Sequence, residues 1–497
     1  MSVGNVGARS LLLTKSLVSM RTQLGDLQRQ MATGKKSDTY AGIGLDRGLT
    51  VGLRSHLSSM ASYGDSITNV GVRLDLAQSA LTRIADIGRE VKAATAPATT
   101  SGPQMTQQLA LSSLGEILGL LNTQAGDRYL FSGLAADTPA VETVDHILNG
   151  DGARAGLKQV ISERNQADLG ASGLGRLVVS APTVTSVQLA EDVAGSPFGF
   201  KLTSISSTMT GSSVTGPAGA PPAMSVDIGA ANPNAGETVK FTFALPDGSS
   251  ETLTLTATAS TTPGPNEFTI GATSDVTATN LQAKLTTALG TLADTALSAA
   301  SALAASGDFF DIDAANPPQR VAGPPFNTAT ALTNGTAANT VSWYTGEAGS
   351  SSARSTASAK VDQSIGVSYG LRANEEGIRW QLQQIAALAA IPLPAADPNT
   401  TALGAKLNDR IRPALDVPAG TQSIETIQAE LAGAQTTLQA AKDRHQQTNA
   451  TLSDLLQKVE GVSNEEVAAQ ILAMQTTLQA SLQTTAILYQ TNILKYL

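Results

Sequence analysis

Apolar residues recur in alternating steps of three and four at both ends of this 497-residue chain, and that spacing limits its fold more than any other feature. Leu13, Leu17, Met20, Leu24, Leu27 and Met31 fall on one narrow stripe of a helix, a seam that a second helix must cover. After a break from Gly34 to Gly48 the spacing resumes with Leu53, Leu57 and Met60. It slips once near Tyr63, then continues through Ile67, Val70, Leu74, Ala77, Leu81, Ile84 and Val91. This predicts a helix of roughly 45 residues, about 65 Å long at 1.5 Å per residue, longer than a small compact domain needs. The C-terminal end repeats the theme: Ile424, Ile427, Leu431, Ala434, Leu438, Ala441, His445, Thr448, Leu452, Leu455, Val459 and Val462 keep the alternation without a fault. Ser463 and Glu466 form a capping-box pattern that opens a last helix, carried by Val467, Ile471, Met474, Leu478, Leu482 and Tyr489. Each end therefore has an outer helix, a break and a long inner helix, in mirror order. An apolar stripe stabilises a helix only when something covers it, so the two ends are expected to pair, and the seams of the outer helices are the candidate assembly interface.

Between the ends the pattern changes. A third helix is expected from Met105 to about Ala125, with Leu109, Leu114, Leu118 and Leu121 on one face and Gly126 at its end. Residues 171–345 carry Gly/Pro punctuation and period-two stretches such as Val239–Phe243. Pro246-Asp247-Gly248 supplies a turn before Glu251–Leu255, which predicts a hairpin. One helical stretch, about Ala278 to Ala305, interrupts the strands, and residues 207–236, rich in Ser, Gly, Ala and Pro, read as a loop or linker. A helix around Glu375 to Ala390 is followed by a break at Pro392 to Pro398. The expected fold class is α+β multidomain, in which N- and C-terminal long helices pair into a coiled-coil rod with a β-rich variable domain inserted between them. The expected segments are 1–45 (terminal helix and linker, pairing with 463–497), 46–170 (N-terminal rod helices), 171–345 (variable domain), 346–462 (C-terminal rod helices) and 463–497.

Composition narrows the function. Charged residues make up 15% and aromatic residues 4%, the sparse surface of a protein whose faces neighbours bury. There is no cysteine, which excludes disulfides, thiolate metal sites and thiol nucleophiles. Residues 180–345 carry 12 acidic and 4 basic side chains, a net charge of -8 out of -9 for the chain. In the first 60 residues Arg9, Lys15, Arg21, Arg29, Lys35, Lys36, Arg47 and Arg54 outnumber Asp26, Asp38 and Asp46. Those charges lie on the polar face of an amphipathic helix without interleaved aromatics, which argues for a solvated or partner-facing surface and against nucleic acid. The N-terminus lacks a signal-peptide pattern and no apolar run is expected to span a bilayer, so the chain reads as cytoplasmic or exported without a cleaved signal.

Catalytic and ligand motifs are missing. His56, His146 and His445 lie far apart, and His445, on the seam, reads as a satisfied packing or interface histidine. Gly42-Ile43-Gly44 and Gly150-Asp151-Gly152 miss the dinucleotide fingerprint because the third glycine falls one residue late. Asp311-Ile312-Asp313 with Asn316 lacks the glycine and closing glutamate of a calcium loop. Neither a catalytic role, nor a metal, nor a cofactor is expected.

Several segments carry a resemblance. Leu27-Gln28-Arg29-Gln30-Met31-Ala32-Thr33-Gly34-Lys35-Lys36 resembles the helix-ending segment of the bacterial flagellin family. Gly126-Asp127-Arg128-Tyr129-Leu130-Phe131-Ser132-Gly133 is similar to the G-R-Y-(I/L)-F-(A/S)-G of the hook–filament junction branch of that family. Leu478-Gln479-Ala480-Ser481 and the closing Ile493-Leu494-Lys495-Tyr496-Leu497 look like its C-terminal L-Q-A-S and apolar tail. Lys35 to Asp46 departs from the acidic, Ala-rich version in common flagellins, and the middle of the chain matches nothing in the family. The resemblance implies a structural, secreted axial subunit of the bacterial flagellum, at the hook–filament junction or in the filament. Its implied partners are copies of itself or other flagellin-family subunits, hook-associated proteins, the flagellar type III export apparatus and an export chaperone, with no nucleic acid and no membrane. The alternative is a secreted coiled-coil adhesin or adaptor that does not polymerise.

Overall fold

The computed structural model describes residues 3–97, 102–311, 317–349 and 351–493, with the backbone alone at 3–10, 488–489 and 491–493. Helix and sheet are mixed, with several long helices and small sheets. The helices are α1 (Val3–Thr33), α2 (Arg47–Ala94), α3 (Pro103–Leu121), α4 (Val144–Asn149), α5 (Leu157–Leu169), α6 (Ser274–Leu292), α7 (Ser298–Phe310), α8 (Glu376–Ala390), α9 (Thr400–Ala414), α10 (Ile424–Glu460) and α11 (Asn464–Ile493). Two compact units emerge, one of Met1–Val70, Ala359–Val367 and Thr436–Leu497, the other of Gly71–Ser358 and Ser368–Gln435. The segments read from the sequence follow elements along the chain, whereas these units follow packing, so α2 and α10 each contribute to both.

In the first unit α1 ends at Gly34, whose φ of +68° is the left-handed conformation that favours glycine after a helix. Its N–H donates to Gln30 O at 2.8 Å. Val462 N–H donates to Gly34 O at 3.1 Å, Lys36 N–H to Glu460 O at 2.7 Å, and Lys35 pairs with Gly461 in an antiparallel bridge. The end of α1 thus meets the start of α11, and the two helices pack along each other in opposite directions. Ser463 Oγ accepts from Glu466 N–H at 3.3 Å, the cap expected for the last helix. The first part of α2 faces the last part of α10, where Arg54 meets Glu460 and Tyr63 meets His445; Leu53, Ile67 and Val70 are buried on the one, and Leu438, Ala441 and His445 on the other. The stripe on α10 departs from the heptad near its end: Leu455 is 43% exposed and Leu456 is turned in instead. A straight helix of 3.6 residues per turn drifts off a strict seven-residue repeat, so the inward position slips by one. Strands Ser358–Lys360 and Gly366–Ser368 form a two-stranded hairpin that supplies residues 359–367.

The second unit holds the sheets. The antiparallel pair Thr238–Ala244 and Ser250–Thr258 is the expected hairpin, closed by Leu245 and Ser249 around Gly248. Val239, Phe241, Phe243, Leu253, Leu255 and Ala257 point inward, and Lys240 points out. Lys201–Ser207 and the short Glu267–Thr269 flank this pair in one four-stranded sheet. Leu177–Ser180, Ser186–Glu191, Ala223–Asp227 and Ser213–Ala218 form a second. Residues 207–236 are therefore not a linker. Met224 and Val226 are buried at alternate positions, a strand pattern hidden by surrounding Gly and Pro. The core of these sheets is completed by Leu281, Leu285, Leu289 and Leu297 on α6 and the turn that follows it. Helix runs unbroken from Ser274 to Phe310 through a π turn at Ala293–Leu297, longer at both ends than the sequence pattern suggests. By length and composition this helix is apolar enough to cross a membrane, contrary to the expectation of no such run, but it is mostly buried within its unit. α8 is buried on nearly every face between α3 and α7. Gly88 on α2 lets it approach, because any Cβ there would meet the Gln381 side chain at 2.6 Å.

The third helix stops at Leu121, four residues before the expected Ala125. Asn122 ends it by bonding the Val141 backbone twice, Nδ2 donating to Val141 O at 2.9 Å and Oδ1 accepting from Val141 N–H at 3.0 Å. Gln124–Ala125 then pairs with Arg128–Tyr129 around Gly126, and Phe131 is wholly buried.

Candidate assembly interface

α1 and α11 bring the predicted seam residues of the two chain ends together in one unit. Leu13, Leu17, Met20, Leu24 and Leu27 are half-buried, as are Ile471, Met474 and Leu478, and Val467 is buried. Met31 and Leu482 stay outside, at 46% and 44% exposure, so they do not belong to the covered seam. The side chain of Tyr489 and residues 494–497 lie outside the described residues. Two helices can cover only one stripe on each other, and here the apolar arc is wider than a stripe. Leu11, Leu12 and Val18 on α1 and Leu472 and Ile487 on α11 are exposed, several of them by two-thirds or more. Leu45, Leu49 and Val51 add exposed apolar side chains where the chain enters α2. These residues were missed by a reading that tracked only the two seam positions of each heptad. The signal was present in the runs Leu11-Leu12-Leu13 and Ile471-Leu472, which place apolar groups beside the seam as well as on it.

Charged groups lock the base of this pair. Arg54 grips Glu460 with Nε on Oε1 at 2.9 Å and Nη2 on Oε2 at 2.7 Å, while Lys36 Nζ donates to Val459 O at 2.7 Å. Glu460 is 8% exposed in its side chain, and its hydrogen bonds push the Arg54 guanidinium above its ordinary pKa. Farther along, the Gln363 backbone N–H and then Arg444 and His445 hold the Asp362 carboxyl below the usual range. His445 is buried against the Tyr63 ring, with centroids 5.7 Å apart. Its Nε2 lies 3.7 Å from Asp362 Oδ2, beyond hydrogen-bond length, and among the described residues neither ring nitrogen has a hydrogen-bond partner. The expectation of a satisfied histidine is thus corrected: it packs, but it is not hydrogen-bonded.

Of the other two histidines, His56 is exposed and His146 Nδ1 lies 3.1 Å from Glu142 Oε2. Among the described residues no three His, Cys, Asp or Glu side chains are grouped to hold a metal. Asp313 and Asn316 of the calcium-like segment lie outside the described residues. Compared with known proteins, the chain matches no family model and no curated sequence.

Proposed function

We propose that this chain is a structural, non-enzymatic subunit of the bacterial flagellum. It would be a secreted, flagellin-like axial protein that assembles through its terminal helices at the hook–filament junction or in the filament. The observation that carries the reading is the antiparallel packing of α1 on α11 with apolar side chains left over outside the seam. In this reading the terminal helices form a coiled-coil rod whose remaining apolar positions are covered by other copies or by related subunits. A filament needs contacts that repeat without closing, hence two different surfaces on each subunit. Exposed apolar groups on both helices and on the entry to α2 supply candidates for both. The acidic middle would face solvent, where its charge keeps neighbours apart. Hook-associated proteins, an export chaperone and the type III export apparatus are the further partners this reading entails.

Assembly tests it. The purified full-length chain, seeded with sheared filament fragments and followed by light scattering and electron microscopy, is expected to polymerise or to add to fragment ends. A variant lacking residues 1–33 and 463–497 is expected to do neither. A full-length chain that stays a monomer or closed dimer, or a truncation that assembles equally well, would favour the non-polymerising adhesin or adaptor. α1 and α11 are already helical and packed on each other in the single chain, so the truncation is expected to remove a large share of the helix by circular dichroism. Little loss would mean that the pair forms only on assembly.

A further inference from the structure

In the second unit the Arg128–Tyr129 strand, which the assembly reading does not use, borders a small pocket together with α2 and residues 369–371. Arg73, Arg128, Tyr129 and Tyr369 line it, and no carboxylate does. Arg73 Nη1 donates to Tyr369 OH at 3.0 Å, so the phenol keeps its own proton to donate in turn. The two arginines stand out in this chain. Among the described residues every other arginine of the second unit, Arg412 apart, forms an ion pair with a carboxylate, whereas Arg73 and Arg128 form none. Carboxylates are not scarce in a chain of net charge -9, yet none faces this pocket.

Size and donor geometry narrow what fits. The pocket measures about 30 Å³, and a water needs ~10–15 Å³ of such space, so there is room for about two oxygen-sized groups. That suits the two oxygens of a carboxylate. A phosphate brings four, and a sugar or aromatic ring is far larger. The planar fork of a guanidinium is matched to a carboxylate, and such charge-assisted bonds are stronger than neutral ones. Leu74 and Leu371, both buried, contribute apolar lining, beside which a pair of opposite charges attracts more strongly than in open water. Arg128 is exposed, and Arg73 and both tyrosines are half-buried, so an incoming side chain can reach the donors.

We propose that this pocket receives the carboxylate of an acidic side chain on a partner protein, held by Arg73 and Arg128 with Tyr369 OH as an added donor. The site stands independently of polymerisation, since a peptide can be tested on the unassembled chain whether or not filaments form.

Calorimetric titration of the full-length chain at low ionic strength tests this, with acetyl-tetraglutamate amide as probe and acetyl-tetraglutamine amide as its uncharged counterpart. The chain's negative net charge repels an anionic peptide at long range, so saturable binding of the glutamate peptide alone requires a local cationic site. That result is expected. Arg73→Gln and Arg128→Gln are each expected to weaken it about tenfold, the loss that removing a charged hydrogen-bond donor implies. Arg128 is exposed, so Arg128→Gln serves if Arg73→Gln does not fold. Arg412→Gln, which removes the other unpaired arginine of the unit and does not line the pocket, is expected to leave the affinity within about twofold of wild type. Four results overturn the assignment: no saturable binding, equal binding of the two peptides, an equal loss in all three variants, or displacement of the peptide by inorganic phosphate at lower concentration than by acetate.

Discussion

Glu237 shows how much a single carboxylate can be shaped by neighbours that carry no charge. Thr210 Oγ1 and N–H and the Asn234 side chain and N–H all donate to it, and with Thr210 leading they hold its pKa at about 2. A folded-state pKa below the unfolded value of about 4.3 means stability that is present above that value and lost as pH falls through the folded one. The Tm difference between wild type and Glu237→Gln is therefore expected to be constant above about pH 5 and to shrink between about pH 4.5 and 2. Thermal melts across that range check it, and a difference that grows on acidification contradicts it. Gly34 is a second position where one residue decides a local structure. A Cβ there would meet nothing within 4 Å, so only the positive φ opposes it. Gly34→Ala should cost about 1 kcal/mol by denaturant melts, and Gly34→Asn, which tolerates this conformation, less.

At the scale of elements, the Arg54–Glu460 grip joins two helices far apart in sequence. Arg54→Ala leaves the Glu460 carboxylate buried without its guanidinium. Because Arg54 itself is 44% exposed and water can partly replace it, a loss of about 1 kcal/mol is expected, with Arg54→Lys recovering only part of it. Equilibrium unfolding of the two variants distinguishes this from no effect. The long helices were legible because their apolar positions repeat over many turns: of the predicted α2 positions, Leu53, Ile67, Val70, Leu74, Leu81, Ile84 and Val91 are all buried. Legibility failed where long-range contacts decide. Nothing local marks Leu121 as a helix end, since the residue that ends it, Asn122, acts through Val141. Strand Ser213–Ala218 exposes every residue, so no alternation announced it, and only its partner strand reveals it. The interface was half legible for the reason given by Met31 and Leu482. Spacing says which residues could share a stripe, but how far the partner helix reaches along that stripe is a property of the pair.

For the molecule as a whole, one extensive core lies in the second unit, where α6 closes the sheets. Leu285 is fully buried there, and Leu285→Ala should cost about 2–5 kcal/mol, read from urea unfolding followed by far-ultraviolet dichroism. A cost below about 1 kcal/mol would mean that the site collapses without strain. The first unit is put together differently, from three stretches separated by most of the chain. During synthesis, α1 leaves the ribosome long before α11 exists. At about 5–20 residues per second its greasy stripe waits tens of seconds for the helix that covers it. A nascent chain of this design spends most of its production time unable to close its own first unit, so its early segment must be kept apart from its siblings by something other than its own fold.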